Sequence, residues 1–115
     1  MILYHATLKR NLDSILQTGL NPKYSKGSEQ VIYLHTKSRI HWAILHTATR
    51  HSASIEDILI IEVEVPRGKL RRRRRGLWTT DQPITNIGDP TEAEMYSTGY
   101  PNGETPSNAK GDTKR

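Results

Sequence analysis

The chain has 115 residues, which sets one domain as the upper limit, and only 34% of its residues are hydrophobic. It has no cysteine, which excludes a disulfide scaffold, a thiol nucleophile and thiolate metal ligands. The net charge of +5 favours an anionic partner such as nucleic acid or a nucleotide.

The N-terminus lacks a charged segment followed by a long apolar run, so we predict no signal peptide. No apolar run approaches the about 20 residues that a membrane span needs, so we predict no membrane partner. A chain without cysteines is compatible with a cytoplasmic location, which is our prediction.

The first predicted elements are a strand, a helix and a second strand. Residues 2–5 predict a short strand, of which the first three are apolar, and apolar residues then recur at helical spacing between residues 8 and 16. Gly19 is placed to end this helix. Residues 21–30 predict a loop because they contain Pro, Gly and Ser, and residues 31–34 are rich in strand-forming types.

A second helix is predicted to begin near Ser38, with an apolar face that Trp42 and Leu45 widen. Residues 58–65 are the strongest predicted strand, continuously apolar at first and then alternating with Glu. Five arginines follow at residues 71–75 as a loop or sheet edge. Another short strand is predicted immediately after them.

The chain divides at residue 85 in this prediction. Residues 1–85 hold nearly all of the aliphatic side chains and form the predicted domain. Residues 86–115 are rich in Gly, Pro, Ser, Thr, Asn and charge, so we predict a disordered or loosely attached tail.

Histidines are the first candidates for a functional site. His5 lies where the first strand meets the following turn, a place common for ligand-facing groups, although a structural strand-end histidine is the alternative. Tyr33 in the second strand, taken alone, predicts ordinary packing, because aromatic residues favour strands. We predict no metal site, because His41 and His46 are spaced to face different sides of a helix and no carboxylate is interleaved.

Five segments carry a family resemblance through their order along the chain. They are LYHAT at residues 3–7, SILQTGL at 14–20, VIYLH at 31–35, ILIIEVEV at 58–65 and GLWTTDQPI at 76–84. Together they resemble the ADP-ribosyltransferase superfamily, and within it the branch that contains the RNA 2'-phosphotransferases. The resemblance covers about residues 2–85.

This resemblance implies an α+β fold in which a small, split, mostly antiparallel sheet is flanked by two helices, with the cleft between the His5 and Tyr33 strands. Strands of larger relatives are missing here. Two options follow: a reduced fold, or a homo-oligomer that completes the sheet by dimerisation.

The resemblance also implies residues that bind NAD. His5 matches the histidine that hydrogen-bonds a ribose hydroxyl, and Ala6, with Thr7 beside it, matches the segment that holds the nicotinamide amide. Tyr33 matches the aromatic residue that packs on the nicotinamide. His35 occupies a position that is usually small in relatives, so it either crowds the pocket or supplies a new polar contact.

The third position of the family's catalytic triad is expected near residues 80–84. Many relatives use Glu there, whereas this chain offers Asp81 and Gln82. These two complete the predicted catalytic set with His5 and Tyr33. The missing Glu disfavours protein ADP-ribosylation.

The pyrophosphate of NAD and the phosphates of a nucleic-acid acceptor need cationic side chains or backbone amides to bind them. Lys9, Arg10 and Arg39 are candidates for the NAD pyrophosphate, and Arg39 is counted among the cofactor-binding residues. Arg71, Arg72, Arg73, Arg74 and Arg75 are the predicted nucleic-acid-binding residues, because guanidinium groups suit bidentate phosphate contacts. A solvated charge run is the alternative. No aromatic residue is interleaved with the arginines for base stacking, so the run does not favour sequence-specific recognition of single strands.

The predicted function is an NAD-dependent transferase, moving ADP-ribose or phosphate, that acts on a nucleic-acid acceptor, with RNA the first candidate. The alternative is a non-catalytic basic module that binds nucleic acid or a nucleotide on the same fold. The missing Glu and the unusual His35 favour the alternative, and the ordered pair of His5 and Tyr33 favours the enzyme. A protein-modifying effector is a third option with no residue of its own in support.

Overall fold

The computed structural model of the protein describes residues 1–25 and 29–97, and the structural statements below concern these residues. In chain order the elements are β1 (Ile2–Leu8), α1 (Leu12–Thr18), β2 (Ile32–His35), α2 (Ile40–His51), β3 (Ile58–Glu64), β4 (Arg71–Arg74), β5 (Leu77–Thr80), β6 (Ile87–Glu92) and α3 (Glu94–Ser97). The predicted α+β class, with an antiparallel sheet and two main helices, is confirmed. Across these described ranges, every helix falls short of the length and apolarity needed to cross a membrane.

One six-stranded antiparallel sheet organises the described residues, in the order β4-β5-β2-β1-β3-β6. β1 and β3 pair along their full length, whereas β1 and β2 share a single registered pair, Tyr4 with His35. The sheet is therefore continuous across the described residues, and the predicted split is wrong, because the pair between β1 and β2 joins the strands on either side of it.

The core lies on both faces of the sheet because β3 is buried on both faces over its first half. Ile58 and Ile60 pack with the apolar stripe of α2, and Ile61 and Val63 pack on the opposite face. Burial of each such side chain contributes about 1.5–3 kcal/mol. The alternation of exposed glutamates in the second half of this strand matches the prediction from sequence.

The second helix differs from its prediction at its start and on its outer side. α2 begins at Ile40 after a 3-10 turn, Lys37–Arg39, and no side chain caps either element. Trp42 and Leu45, predicted to widen the buried face, are exposed. The core contacts of α2 therefore come from a narrower stripe, which leaves its other face open to a cavity.

The predicted domain boundary after residue 85 is wrong for residues 87–97. Residues 87–92 form β6 along the free edge of β3, and the side chain of Ala93 is completely buried. β6 is held in the sheet by backbone hydrogen bonds, and its one aliphatic residue is Ile87. Its sequence therefore has no apolar pattern from which the strand could be predicted. The remainder of the predicted tail, residues 98–115, lies outside the described residues.

Gly76 closes the hairpin between β4 and β5 with a φ of +76°. A Cβ at this position would collide with Cγ of Arg39. We therefore expect Gly76→Ala to lower the free energy of unfolding by about 1–2 kcal/mol, measured by urea denaturation.

Gly68→Ala is the matched control for Gly76→Ala. Gly68 has no positive φ, and among the described residues its added Cβ would meet no heavy atom of a non-local neighbour within 4 Å. Equal losses of stability in the two variants would show that the hairpin does not depend on Gly76.

Candidate functional site

Two adjoining cavities lie at the narrow join between β1 and β2. The first, of about 460 Å³, is bounded by β1, β2, α2 and the β4–β5 turn, and we call it the arginine cavity. The second, of about 440 Å³, lies towards α1, and we call it the helix cavity. Both have the size of small-molecule sites. They share His5, Ala6, Thr47 and Arg50, so they meet at the end of the β1–β2 pairing.

His5 connects the two central strands beyond their single registered pair. Its Nδ1–H donates a hydrogen bond to the backbone carbonyl of Tyr33, at 2.9 Å. Burial lowers the pKa of His5, and Arg50 lowers it further, while the bond to Tyr33 acts in the opposite direction. A neutral imidazole that donates through Nδ1 keeps Nε2 as a hydrogen-bond acceptor. His5 can therefore accept a hydrogen bond from a ligand hydroxyl.

His35 is a second histidine held neutral in the wall of the arginine cavity. It is 7% exposed, and its buried Nδ1 has no hydrogen-bond partner among the described residues. Burial lowers its pKa to about 4, with smaller contributions from His46, His5 and His41. This residue supplies no positive charge to the cavity near neutral pH.

The neutral state of His35 predicts acid sensitivity. Its folded-state pKa lies below the unfolded value of 6.5, so the unfolded chain binds the proton more readily and stability falls as the pH decreases from 6.5 towards 4. We expect a loss of about 2–3 kcal/mol across that range from this residue. His35→Leu should flatten the dependence by that amount in urea unfolding at neutral and acidic pH. Parallel curves for the variant and the wild type would contradict this assignment.

All six predicted cofactor-binding residues line one or both of the cavities. Tyr33, His35 and Arg39 line the arginine cavity, and Ala6 lines both cavities. Thr7 is buried and lines the helix cavity. The small Ala6 side chain leaves room where the two cavities meet.

Asp81 and Gln82 do not join the other predicted catalytic residues. β5 runs antiparallel to β2, so Leu77 lies opposite His35 and Thr80 lies opposite Ile32, at the far end of β2. Asp81 and Gln82 follow Thr80 at that end. Their side chains are exposed, and Gln82 Nε2 donates to Asp81 Oδ1 at 3.0 Å. Neither residue lines the two cavities. The predicted placement of this pair beside His5 and Tyr33 is therefore wrong.

The arginine run separates into three parts. Arg74 and Arg75 line the arginine cavity, while Arg71 and Arg72 are exposed along the edge strand β4. A register shift between Arg72 and Arg74 sets Arg73 apart.

Arg73 is bound to other residues of the protein. Its guanidinium donates to both Glu29 carboxylate oxygens at 3.0 and 2.9 Å, and its Nε–H donates to Thr79 Oγ1 at 2.9 Å. The same contact lowers the pKa of the Glu29 carboxyl. Of the five arginines, Arg74 and Arg75 therefore line the cavity, and Arg73 stabilises the fold.

Helix α2 supplies site residues that the sequence prediction missed. Trp42 and His46 line the arginine cavity, and Arg50 lines both cavities. Their spacing of four residues places them on one face of the helix, which is the signal that could have identified them. The described lining of the arginine cavity thus includes four arginines and no carboxylate. Such a cavity suits an anionic ligand.

Neither a scan against protein-family models nor a search of curated proteins finds a match to this chain. The resemblance to ADP-ribosyltransferases therefore depends on the five segments and their order. Within residues 1–25 and 29–97, no group of three or more His, Asp or Glu side chains is arranged to hold a metal ion.

Proposed function

We propose that the protein is an NAD-dependent transferase, moving ADP-ribose or phosphate, with nucleic acid as its acceptor and RNA the first candidate. One observation carries this proposal: His5 and Tyr33 meet at the join of β1 and β2, beside a cavity lined by four arginines. This arrangement is compatible with the ADP-ribosyltransferase-like fold that the segment order suggested.

The shape of the site suits a dinucleotide. NAD consists of two nucleosides joined by a pyrophosphate, and the two cavities meet at Ala6 and Arg50. Arg50 would hold the pyrophosphate, because a guanidinium binds phosphate oxygens in pairs. Each cavity then has room for one nucleoside.

The residues at the join have roles that follow from their chemistry. Cleavage between nicotinamide and ribose develops an oxocarbenium-like cation, as in glycoside hydrolysis. His5 would orient the ribose by accepting a hydrogen bond at Nε2. Tyr33 would pack on the nicotinamide, and Arg74 and Arg75 would bind phosphates of the acceptor.

A non-catalytic module is the second candidate, and the position of Asp81 and Gln82 favours it. Without these residues at the cavities, no carboxylate among the described lining residues is available to stabilise the developing cation. A module of this kind would bind the same nucleotides and release no nicotinamide.

Nicotinamide release tests the proposal. The full chain is incubated with NAD, alone and with RNA carrying an internal 2'-phosphate or a terminal phosphate, and the mass of the RNA is followed by mass spectrometry. We expect nicotinamide release that depends on RNA, with loss of phosphate or gain of ADP-ribose on the strand. Nucleotide binding by a folded protein without nicotinamide release would instead support the module.

A further inference from the structure

An exposed tryptophan stands at the arginine cavity. Trp42 is 41% exposed, although it lies on a helix whose core contacts come from Ile40, Ala43 and Ile44. Two histidine rings flank it: His41 with a centroid distance of 5.3 Å and His46 with 6.1 Å, tilted by 42° and 44°. The indole is thus oriented by its neighbours while part of it faces solvent.

The position of Trp42 brings an aromatic surface next to cations. Arg74 and Arg75 line the same cavity, although they lie more than thirty residues away in sequence. Proteins that bind single-stranded nucleic acid combine stacking of bases on aromatic side chains with contacts between cationic side chains and phosphates. The sequence showed no aromatic residue among the arginines, and the fold supplies one from α2.

We propose that Trp42 is a stacking platform for a nucleobase whose phosphate is bound by arginines of the same cavity: Arg74 and Arg75 for an acceptor strand, Arg50 for NAD. The inference depends on the proposed function only in taking the arginine cavity as a nucleotide site. The nucleobase belongs to the acceptor strand or to NAD, and the two sources share the same chemistry of a flat base joined to phosphate.

Trp42→Leu tests the platform without removing core contacts, because the side chain lies outside the buried stripe of α2. Leu45→Ala is the matched control, since Leu45 is exposed on the same helix and does not line the cavity. Binding is measured for a short phosphorylated RNA, for an abasic ribose-phosphate chain of the same length, for NAD and for inorganic pyrophosphate.

We expect Trp42→Leu to weaken binding of the RNA about tenfold and to leave the abasic chain within twofold of wild type. If Trp42→Leu instead weakens binding of NAD and leaves binding of pyrophosphate and RNA unchanged, the platform is also supported, and the stacked base belongs to the dinucleotide. Equal losses for ligands with and without bases, or no loss for any ligand, would overturn it. Base-dependent binding without nicotinamide release would retain the platform while refuting the proposed transferase.

Discussion

His5→Asn is expected to reduce nicotinamide release by about a hundredfold while stability stays near that of the wild type. The asparagine amide can replace the Nδ1–H donor that binds the Tyr33 carbonyl. It cannot replace Nε2, which accepts the ribose hydroxyl in the proposed site. Initial rates of nicotinamide release, with urea unfolding as the measure of stability, separate the two roles of this residue.

His5→Ala is the companion variant and should lose both functions. Removing the bond to Tyr33 is expected to cost about 1 kcal/mol of stability in addition to the loss of turnover. Wild-type turnover in His5→Asn would show that the histidine serves only to join β1 and β2. Nucleic-acid affinity should stay nearly unchanged in both variants, because Arg74 and Arg75 are intact.

The second large effect is expected from the two arginines that line the cavity. Arg74→Gln combined with Arg75→Gln should weaken binding of a short phosphorylated RNA by about 10- to 100-fold, since a hydrogen bond to a charged group contributes about 1.5–3 kcal/mol. The logarithmic salt dependence of the affinity should also become shallower by about one unit. Fluorescence anisotropy across a salt series measures both quantities.

Arg71→Gln combined with Arg72→Gln is the control, with the same change in net charge within the same run of arginines. These side chains are exposed and do not line either cavity, so we expect a loss of affinity of less than about threefold at physiological salt. Equal losses in the two double variants would show that the run acts as a diffuse basic surface. Arg73 is left unchanged in both because its bonds to Glu29 and Thr79 hold the sheet edge.

Hydrophobic periodicity predicted most of the sheet. The apolar pattern of residues 58–65 identified β3 and its half-exposed end, because β3 occupies a central position where side chains on both faces must be apolar at first. β6 was missed because an edge strand made of Gly, Asp, Pro, Thr and Glu is held mainly by backbone pairing. Backbone hydrogen bonds leave no signature in side-chain hydropathy.

The candidate site was predictable only in part. His5 was identified from its place at a strand end and Tyr33 through the family resemblance, and their meeting follows from the antiparallel arrangement of β1 and β2. The predicted place of Asp81 in the site is wrong because the position of this residue depends on the register between β5 and β2, which the order of segments along the chain does not specify. The sequence assigns Trp42 to the apolar face of α2. Its spacing from His46 and Arg50 shows that the three share a face, but the packing of the helix is needed to show that this face turns away from the core.

Calorimetric titration of NAD into the wild-type protein and His5→Ala tests most directly the claim that a dinucleotide occupies the two cavities. We expect saturable binding to the wild type at one site per chain, weakened at least about tenfold in His5→Ala. Absence of NAD binding by a folded wild-type chain that still binds phosphorylated RNA would contradict the claim. It would leave Arg74 and Arg75 as the functional surface of a nucleic-acid-binding module.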